Sequence, residues 1–281
     1  MNIFQLIKTV LDEAYAQIPG NPEEKDRRII SELAWLTRQY SNLTSQGCID
    51  YSPPCRRFAY LYRYTTCHAN LVYQVVRNNV RILRDVLTRE NISLACIGGG
   101  PGSDFLGIIK YLMETDYHPS LSCKILERDP AWGESWSDVH EKLGGSFSIS
   151  TIFHPMDVRT ESSWRVYTKY LRSDLVTLVY FLSEVYASRR EADTYFAFLF
   201  DHILEGTPVL FIDNNDSQFY NWFDELATRY TLRTIFRHED IYQMPWDEEK
   251  TDLGDYYLRF PQPKLEANVA VRICIKNRAT P

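Results

Sequence analysis

Apolar positions repeat along this chain with two different periods, and the change of period divides it near residue 90. Over the first part the period is helical. Ile3, Phe4, Ile7, Val10, Leu11 and Tyr15 form an i, i+3/4, i+7 stripe that predicts a helix over residues 1–18. Pro19-Gly20-Asn21-Pro22 ends it. A second helix is predicted over about 23–44, with Ile29, Ile30, Leu33, Leu36, Tyr40 and Leu43 inward. A third element starts after Tyr51-Ser52-Pro53-Pro54, carries a tyrosine-rich stripe through Val76, and is expected to break into two helices near 65–67. A fourth amphipathic run covers 80–87.

Beyond residue 90, short apolar runs alternate with helical stretches. Strands are predicted at 94–97, 123–126, 147–152, 175–181, 208–212, 230–236 and 269–275. Helices are predicted at 103–114, around 132–143, 189–204 and 217–227. The run 175–181 is almost continuously apolar, as a central parallel strand covered on both faces must be. Residues 239–264 are expected to be irregular. No crossover helix separates the last two strands, which suits an antiparallel pair closing a parallel sheet. The expected architecture is an α/β fold with a mostly parallel sheet whose last strand is antiparallel. An N-terminal helical lobe or lid over 1–90 precedes a ligand-binding domain over 91–281.

One stretch, LACIGGGPGSD from Leu94 to Asp104, concentrates the chemistry. Four apolar residues form the end of a strand, and Gly98, Gly99, Gly100 and Gly102 follow. Glycines let a ligand approach the backbone closely, and open α/β sheets bind ligands at the carboxyl ends of their strands. A phosphate loop would close on Gly-Lys-Ser/Thr, but the next lysine is Lys110. The spacing Gly98-x-Gly100-x-Gly102 is not the dinucleotide G-x-G-x-x-G. Asp104 instead suits a ligand carrying an ammonium group.

This stretch resembles the first motif of class I S-adenosylmethionine-dependent methyltransferases, differing at Cys96, where many members carry an acidic residue. The order and count of predicted strands resemble the seven-strand, Rossmann-like sheet of that family over about 92–281. The resemblance implies S-adenosyl-L-methionine as cofactor, with the loop at Gly98, Gly99, Gly100, Gly102 and Asp104 around its amino acid end. Glu127 lies at the end of the second strand, where a carboxylate can accept both ribose hydroxyls and where the family's second motif does so. Arg128 is placed beside the adenine rim, and Trp132 either there or in the core. Asp157, after His154-Pro155-Met156, is similar to the third-motif residue that binds the adenine amine, with Met156 backbone contacts beside it; the alternative is a cap. Ser183 and Glu184 follow the fourth strand, where the family places catalytic or substrate-facing residues. Glu184 is equally readable as a partner of Arg189 or Arg190, and Asp213–Asp216 as substrate contacts or a helix cap. His68 and the tyrosines and arginines of 56–73 are candidates for a lid, or for core packing.

Net charge is −6, unevenly spread. Residues 51–90 hold seven arginines against Asp85 and Glu90, a local excess of +5. That lobe tilts the expected methyl acceptor toward RNA or another phosphate-bearing substrate, and the loop is somewhat similar to that of fungal ribosomal-RNA uridine methyltransferases. The acidic remainder tilts the other way. A small-molecule or protein substrate, a protein partner, a non-catalytic cofactor-binding sensor or scaffold, and a different Rossmann-like enzyme remain alternatives. The six cysteines show no paired metal spacing, so no metal is expected. No apolar run approaches the ~18 residues of a membrane span and Met1–Ile7 has no leader pattern. Free thiols inside strands suit a cytoplasmic protein, the nucleus not being excluded.

Overall fold

The computed structural model describes residues 1–45, 48–115, 117–143 and 148–277. Its centre is a seven-stranded sheet in the order β3-β2-β1-β4-β5-β7-β6. The strands are β1 (Asn91–Ile97), β2 (Ser120–Glu127), β3 (Ile149–Pro155), β4 (Leu175–Val179), β5 (Pro208–Asn214), β6 (Leu232–Gln243) and β7 (Glu266–Lys276). Strands β1 to β5 pair in parallel, and β7 runs antiparallel to both of its neighbours. This is the mostly parallel, Rossmann-like sheet that the alternation of periods predicts. Each parallel pair needs a crossover, and parallel strands covered on both faces must be apolar throughout. LVTLV in β4 and ACI in β1 meet that requirement.

The two faces carry separate cores. Leu94 and Cys96 of β1 join a core with the N-terminal helices, while Ala95 and Ile97 point to a second core with the later ones. The first face is covered by α1 (Ile3–Gln17), α2 (Pro22–Tyr40), α3 (Pro54–Tyr60), α4 (Thr66–Asn78), α5 (Val80–Leu87), α6 (Ser103–Met113) and α7 (Trp132–Lys142). The other carries α8 (Glu161–Trp164), α9 (Thr168–Leu171), α10 (Phe181–Val185), α11 (Arg189–His202) and α12 (Ser217–Arg229). A short α13 (Asp255–Arg259) lies between β6 and β7 and packs back on α1 through Tyr256.

Two expectations are corrected. Helices α3 and α4 do not break at 65–67: a π-helical turn, Leu61–Thr65, carries the helix through. No proline or glycine interrupts 55–78, so nothing forces the chain to turn there. Strand β6 runs to Gln243 rather than ending at 236. As an edge strand with a bulge at Thr234/Phe236 it is largely exposed, so it lacks the apolar signature of its neighbours. Phe147, the expected start of β3, falls outside the described residues.

The N-terminal helices are tied to the sheet domain by a buried charge cluster. Lys110 of α6, fully buried, reaches Glu248 at 2.8 Å, Asp247 at 3.0 Å and Asn70 Oδ1 of α4 at 3.0 Å. Glu248 in turn accepts from the backbone N–H groups of Ile3 and Phe4 at the start of α1. A carboxylate at a helix N-terminus meets unpaired N–H groups and the positive end of the dipole.

Candidate functional site

The sheet order changes direction between β1 and β4, and the loops after β1 and β4 therefore leave in opposite directions and open a crevice at that edge. Two adjoining cavities fill the crevice and share Gly98. One, open to solvent on one side, spans about 460 Å³ including its mouth and is lined by Tyr51, Glu127, Arg128, Met156, Asp157 and Glu184, among others. The other, about 250 Å³, is lined by Gly98, Gly99, Gly100, Ser103, Asp104, Tyr60 and His68, among others.

The glycine loop is built to leave that space. Gly100 has φ +47°, and a Cβ placed on it would meet nothing within 4 Å. Gly102 is glycine for a different reason. It caps α6 at φ +82°, and a Cβ there would sit 2.4 Å from the Trp136 ring. Gly102 lines neither cavity; it lets α7 close against the loop.

Glu127 occupies the end of β2 inside the larger cavity. Oε2 accepts from the Gly100 N–H at 3.1 Å and Oε1 from the Asp129 N–H at 3.2 Å. Burial pushes its pKa up. Among the described residues it has no ion-pair partner. Met156 is held beside it by its N–H, which donates to the Glu127 carbonyl at 2.8 Å. Asp157 lines the same cavity, but its carboxylate accepts from Arg159 through the backbone N–H, Nε and Nη2, at 2.7–3.0 Å. The Arg159 side chain holds its pKa below the ordinary value.

Asp104 lies beneath the loop. It accepts from the hydroxyl of Thr177 on β4 and from the Phe105 N–H at 3.2 Å, and burial raises its pKa. Its oxygens are thus engaged by the protein. The unsatisfied polar atoms of the smaller cavity belong to other residues. His68 Nε2 and Ser103 Oγ are buried and have no hydrogen-bond partner among the described residues. His68 stacks on Tyr180 with centroids 4.0 Å apart, and its Nδ1 lies 3.5 Å from the Tyr60 hydroxyl. Burial and the nearby Lys264 cation depress its pKa well below the ordinary value, so the ring is neutral. The Tyr60 hydroxyl beside Nδ1 can donate or accept, and Nε2 is the ring nitrogen left without a partner.

Residues 48–53 cross the larger cavity and are fastened at two points. Arg128 Nη2 donates to the Ile49 carbonyl, and the Tyr51 N–H donates to the buried Asp129 carboxylate at 2.7 Å. Arg128 thus lines the cavity while committed to the backbone. Trp132 is not at the rim: it is 1% exposed and packs on Tyr51 and Tyr60 at 4.9 and 5.2 Å between ring centroids.

The two residues after β4 separate. Ser183 is 1% exposed and lines neither cavity. Its N–H donates to Asp213 at 2.9 Å and its hydroxyl accepts from Asn214 Nδ2 at 3.3 Å, because its turn of α10 faces β5. These bonds tie Ser183 into the turn, away from both cavities. Asp213, which burial raises to about 6, serves the same turn, and Asp216 caps α12 by accepting from Gln218. Glu184 does line the cavity. It pairs with neither Arg189 nor Arg190; its Oε1 accepts from Tyr40 at 2.8 Å and Tyr51 at 3.5 Å. Burial first, and then the neighbouring Glu127 charge, raise its pKa to about 7. Tyr40 and Tyr51 went unmarked in the sequence as site residues. Only the lobe's tyrosine richness signalled them.

No family model and no curated protein sequence matches the chain. Among solved structures, the chain is similar to an O-methyltransferase family protein of Burkholderia thailandensis. That match has 11% identity and a TM-score of 0.45, and covers 90% of this chain and 72% of that one. It is also similar to a SAM-dependent methyltransferase of Methanosarcina mazei, at 9% identity, 70% and 97% coverage and a TM-score of 0.44. A third is the precorrin-6y C5,15-methyltransferase of Geobacter metallireducens, at 8% identity, 72% and 88% coverage and a TM-score of 0.44. The fold assignment stands on the strand order itself.

Proposed function

We propose that the chain is an S-adenosyl-L-methionine-dependent methyltransferase, with the cofactor along the paired cavities and residues 1–90 closing over it as a lid. The observation that carries this reading is the pairing of donor sets at the two ends of one crevice. At one end stands the Glu127 carboxylate, held by the Gly100 and Asp129 N–H groups with no ion-pair partner among the described residues, suited to a ribose diol. At the other, the orphaned His68 Nε2, a donor in the tautomer that protonates it, and the Ser103 hydroxyl beside the open Gly100 suit the carboxylate of an amino acid. Gly98 and Gly99 line the backbone between them, and Arg128, Met156 and Asp157 bound the adenosine end. A ligand with a nucleoside and an amino acid joined by a short chain satisfies both ends.

The cofactor supplies an electrophilic methyl group on a sulfonium. The protein must hold an acceptor in line, take a proton where the acceptor has one, and keep water away. Tyr40, Tyr51, Tyr60 and Trp132 exclude water, and Glu184 is the group placed to accept a proton. RNA as acceptor draws less support from the lobe than its arginine count suggests. Arg56 pairs with Glu32, Arg89 with Asp174, Arg57 bonds the 51 and 52 carbonyls and Glu134, and Arg63 the 262 carbonyl.

Calorimetric titration with S-adenosylhomocysteine, against NAD as control, tests the cofactor. Binding of the first alone, weakened by about 1–3 kcal/mol in Glu127→Ala, is expected, since the variant leaves two ribose hydroxyls unpaired. NAD binding as tightly as S-adenosylhomocysteine overturns the reading.

A further inference from the structure

The two outer edges of the sheet are protected unequally. Edge strands of native proteins are blunted by charged side chains, proline or a bulge, because their unpaired N–H and C=O groups otherwise recruit another strand. Strand β6 has such protection, with Arg233, Arg237, His238, Glu239 and Asp240 along it and a bulge at Thr234/Phe236. Strand β3, ISTIFHP, has no Lys, Arg, Asp or Glu, no register shift against β2, and a proline only as its last residue. Which of its backbone groups face outward follows from the bonds that frame it. The Ser148 carbonyl accepts from the Leu121 N–H, and the Met156 N–H donates to the Glu127 carbonyl. Alternate residues of a strand bond a given neighbour, so the even-numbered residues face β2, while Ile149, Thr151 and Phe153 turn both backbone groups to the open edge. Pro155 ends that row: it has no N–H, and its carbonyl accepts from the Tyr167 hydroxyl. The surface beside the edge is apolar as well. Ile152 is 40% exposed, and Val166, next to the Tyr167 that packs on His154, is 67% exposed.

We infer that β3 pairs edge to edge with the β3 of a second copy of this chain, antiparallel about a two-fold axis through Thr151, so that one sheet continues across the dimer. The occupant is a second copy because the strand is complementary to itself. A two-fold axis perpendicular to the sheet sets each residue opposite one on the same face, so outward-facing residues meet only outward-facing ones. With the axis at Thr151, Ile149 meets the partner's Phe153, Thr151 meets the partner's Thr151, and Phe153 meets the partner's Ile149. All three residues then exchange both backbone bonds. Moving the axis by one residue sets Ile149 opposite a proline without an N–H, or Phe153 beyond the start of the strand. Ile149 and Phe153 both pack toward the core with the N-terminal helices, so the opposed side chains on that face are two aliphatic–aromatic pairs flanking a threonine pair, combinations that stabilise antiparallel strands. On the other face Ile152 meets the partner's Ser150. None of these opposed residues is charged, so no repulsion and no buried ion opposes the pairing.

Sedimentation velocity of the complete chain over a range of concentrations tests this. A concentration-dependent dimer is expected. It should be lost in Ile152→Lys, which charges the edge, and in Thr151→Pro, which removes an N–H that faces away from β2, while both variants keep the wild-type circular dichroism. Ile241→Lys on the other edge should leave it intact. Oxidised glutathione should link Thr151→Cys to its own copy, because opposed residues of a hydrogen-bonded pair have Cα atoms about 5.5 Å apart, within reach of a disulfide. Ile152→Cys, whose copy sits diagonally, should link no more than the wild type with its six cysteines. A monomer at every concentration overturns the inference, and protection of the Ile149, Thr151 and Phe153 amides from hydrogen exchange in that monomer would assign the edge to another segment of the same chain. A dimer that Ile152→Lys and Thr151→Pro both leave intact, or one that links through Ile152→Cys in preference to Thr151→Cys, overturns it equally.

Discussion

Replacing His68 by phenylalanine removes one unpartnered ring nitrogen from the smaller cavity and little else. The ring still stacks on Tyr180, where the histidine lies 4.0 Å away at 22°. Nε2 has no protein partner to lose, and the long 3.5 Å contact of Nδ1 to Tyr60 is the only bond given up. If His68 receives the carboxylate of the cofactor's amino acid end, the variant loses a hydrogen bond to a charged group. Such a bond is worth about 1.5–3 kcal/mol, or roughly 10- to 150-fold in affinity at about 1.4 kcal/mol per decade. The loss is specific to one end of the ligand. S-adenosylhomocysteine and 5′-methylthioadenosine share the nucleoside, and only the first has the amino acid. Calorimetry with both ligands on both proteins closes a cycle that isolates the His68–carboxylate contact. His68→Phe is expected to weaken S-adenosylhomocysteine by that factor and leave methylthioadenosine within about twofold, while the ligand-free variant melts no lower than wild type, because an unsatisfied buried polar atom has been removed. Equal losses for both ligands, or no loss for either, refute the assignment of His68 to the amino acid end.

Other outcomes follow from the same geometry. Folding raises the Glu184 pKa from the ordinary 4.5 to about 7, so the folded state binds the proton more tightly and stability contributed by this group falls as pH rises from about 4.5 through 7. Glu184→Gln should therefore be more stable than wild type at pH 8 by about 1–3 kcal/mol, with the gain gone near pH 4, as urea denaturation at the two pH values would show; a gain independent of pH contradicts the shift. Lys110→Met strands a fully buried Glu248 carboxylate and should cost about 3–5 kcal/mol in urea unfolding, with part recovered in Lys110→Met/Glu248→Gln; equal costs would mean that the charge pair is not what couples α1, α4 and α6. Gly102→Ala drives a Cβ to 2.4 Å from Trp136 and should lower the melting temperature markedly, whereas Gly100→Ala meets open space, should cost only the left-handed backbone strain of about 1–2 kcal/mol, and should abolish S-adenosylhomocysteine binding.

What the sequence reveals of this site follows range of interaction. The strand mouth is readable because everything in it is local: the apolar end of β1, the glycines and the start of α6 are contiguous, and Glu127 ends the neighbouring strand. Glu184, directly after β4, lines the crevice for the same reason. Ser183, one residue away, faces β5, and which side of a short helical turn does so depends on packing that a window of sequence does not contain. Tyr40 and Tyr51 lie 144 and 133 residues from Glu184 along the chain, and no periodicity joins them to it. Tyr40 has the helical spacing of a core residue, and Tyr51 lies in the irregular stretch before α3. Asp104 lines the smaller cavity as its place in the loop suggests, but its carboxylate accepts from Thr177 and the Phe105 N–H, while His68 Nε2 and Ser103 Oγ nearby are left without partners, which no local pattern signals. The edge strand β6 escapes notice beyond residue 236 because exposure on both faces erases the alternation that reveals strands.

The central claim is that one nucleoside–amino acid ligand spans both cavities. A crystal structure of the complex with S-adenosylhomocysteine tests it most directly. The account predicts ribose hydroxyls on the Glu127 carboxylate, the ligand backbone over Gly100, and the terminal carboxylate within hydrogen-bond reach of His68 Nε2 and Ser103 Oγ. A ligand bound elsewhere on the sheet edge, or lying in the crevice with its amino acid end turned away from His68, would contradict it.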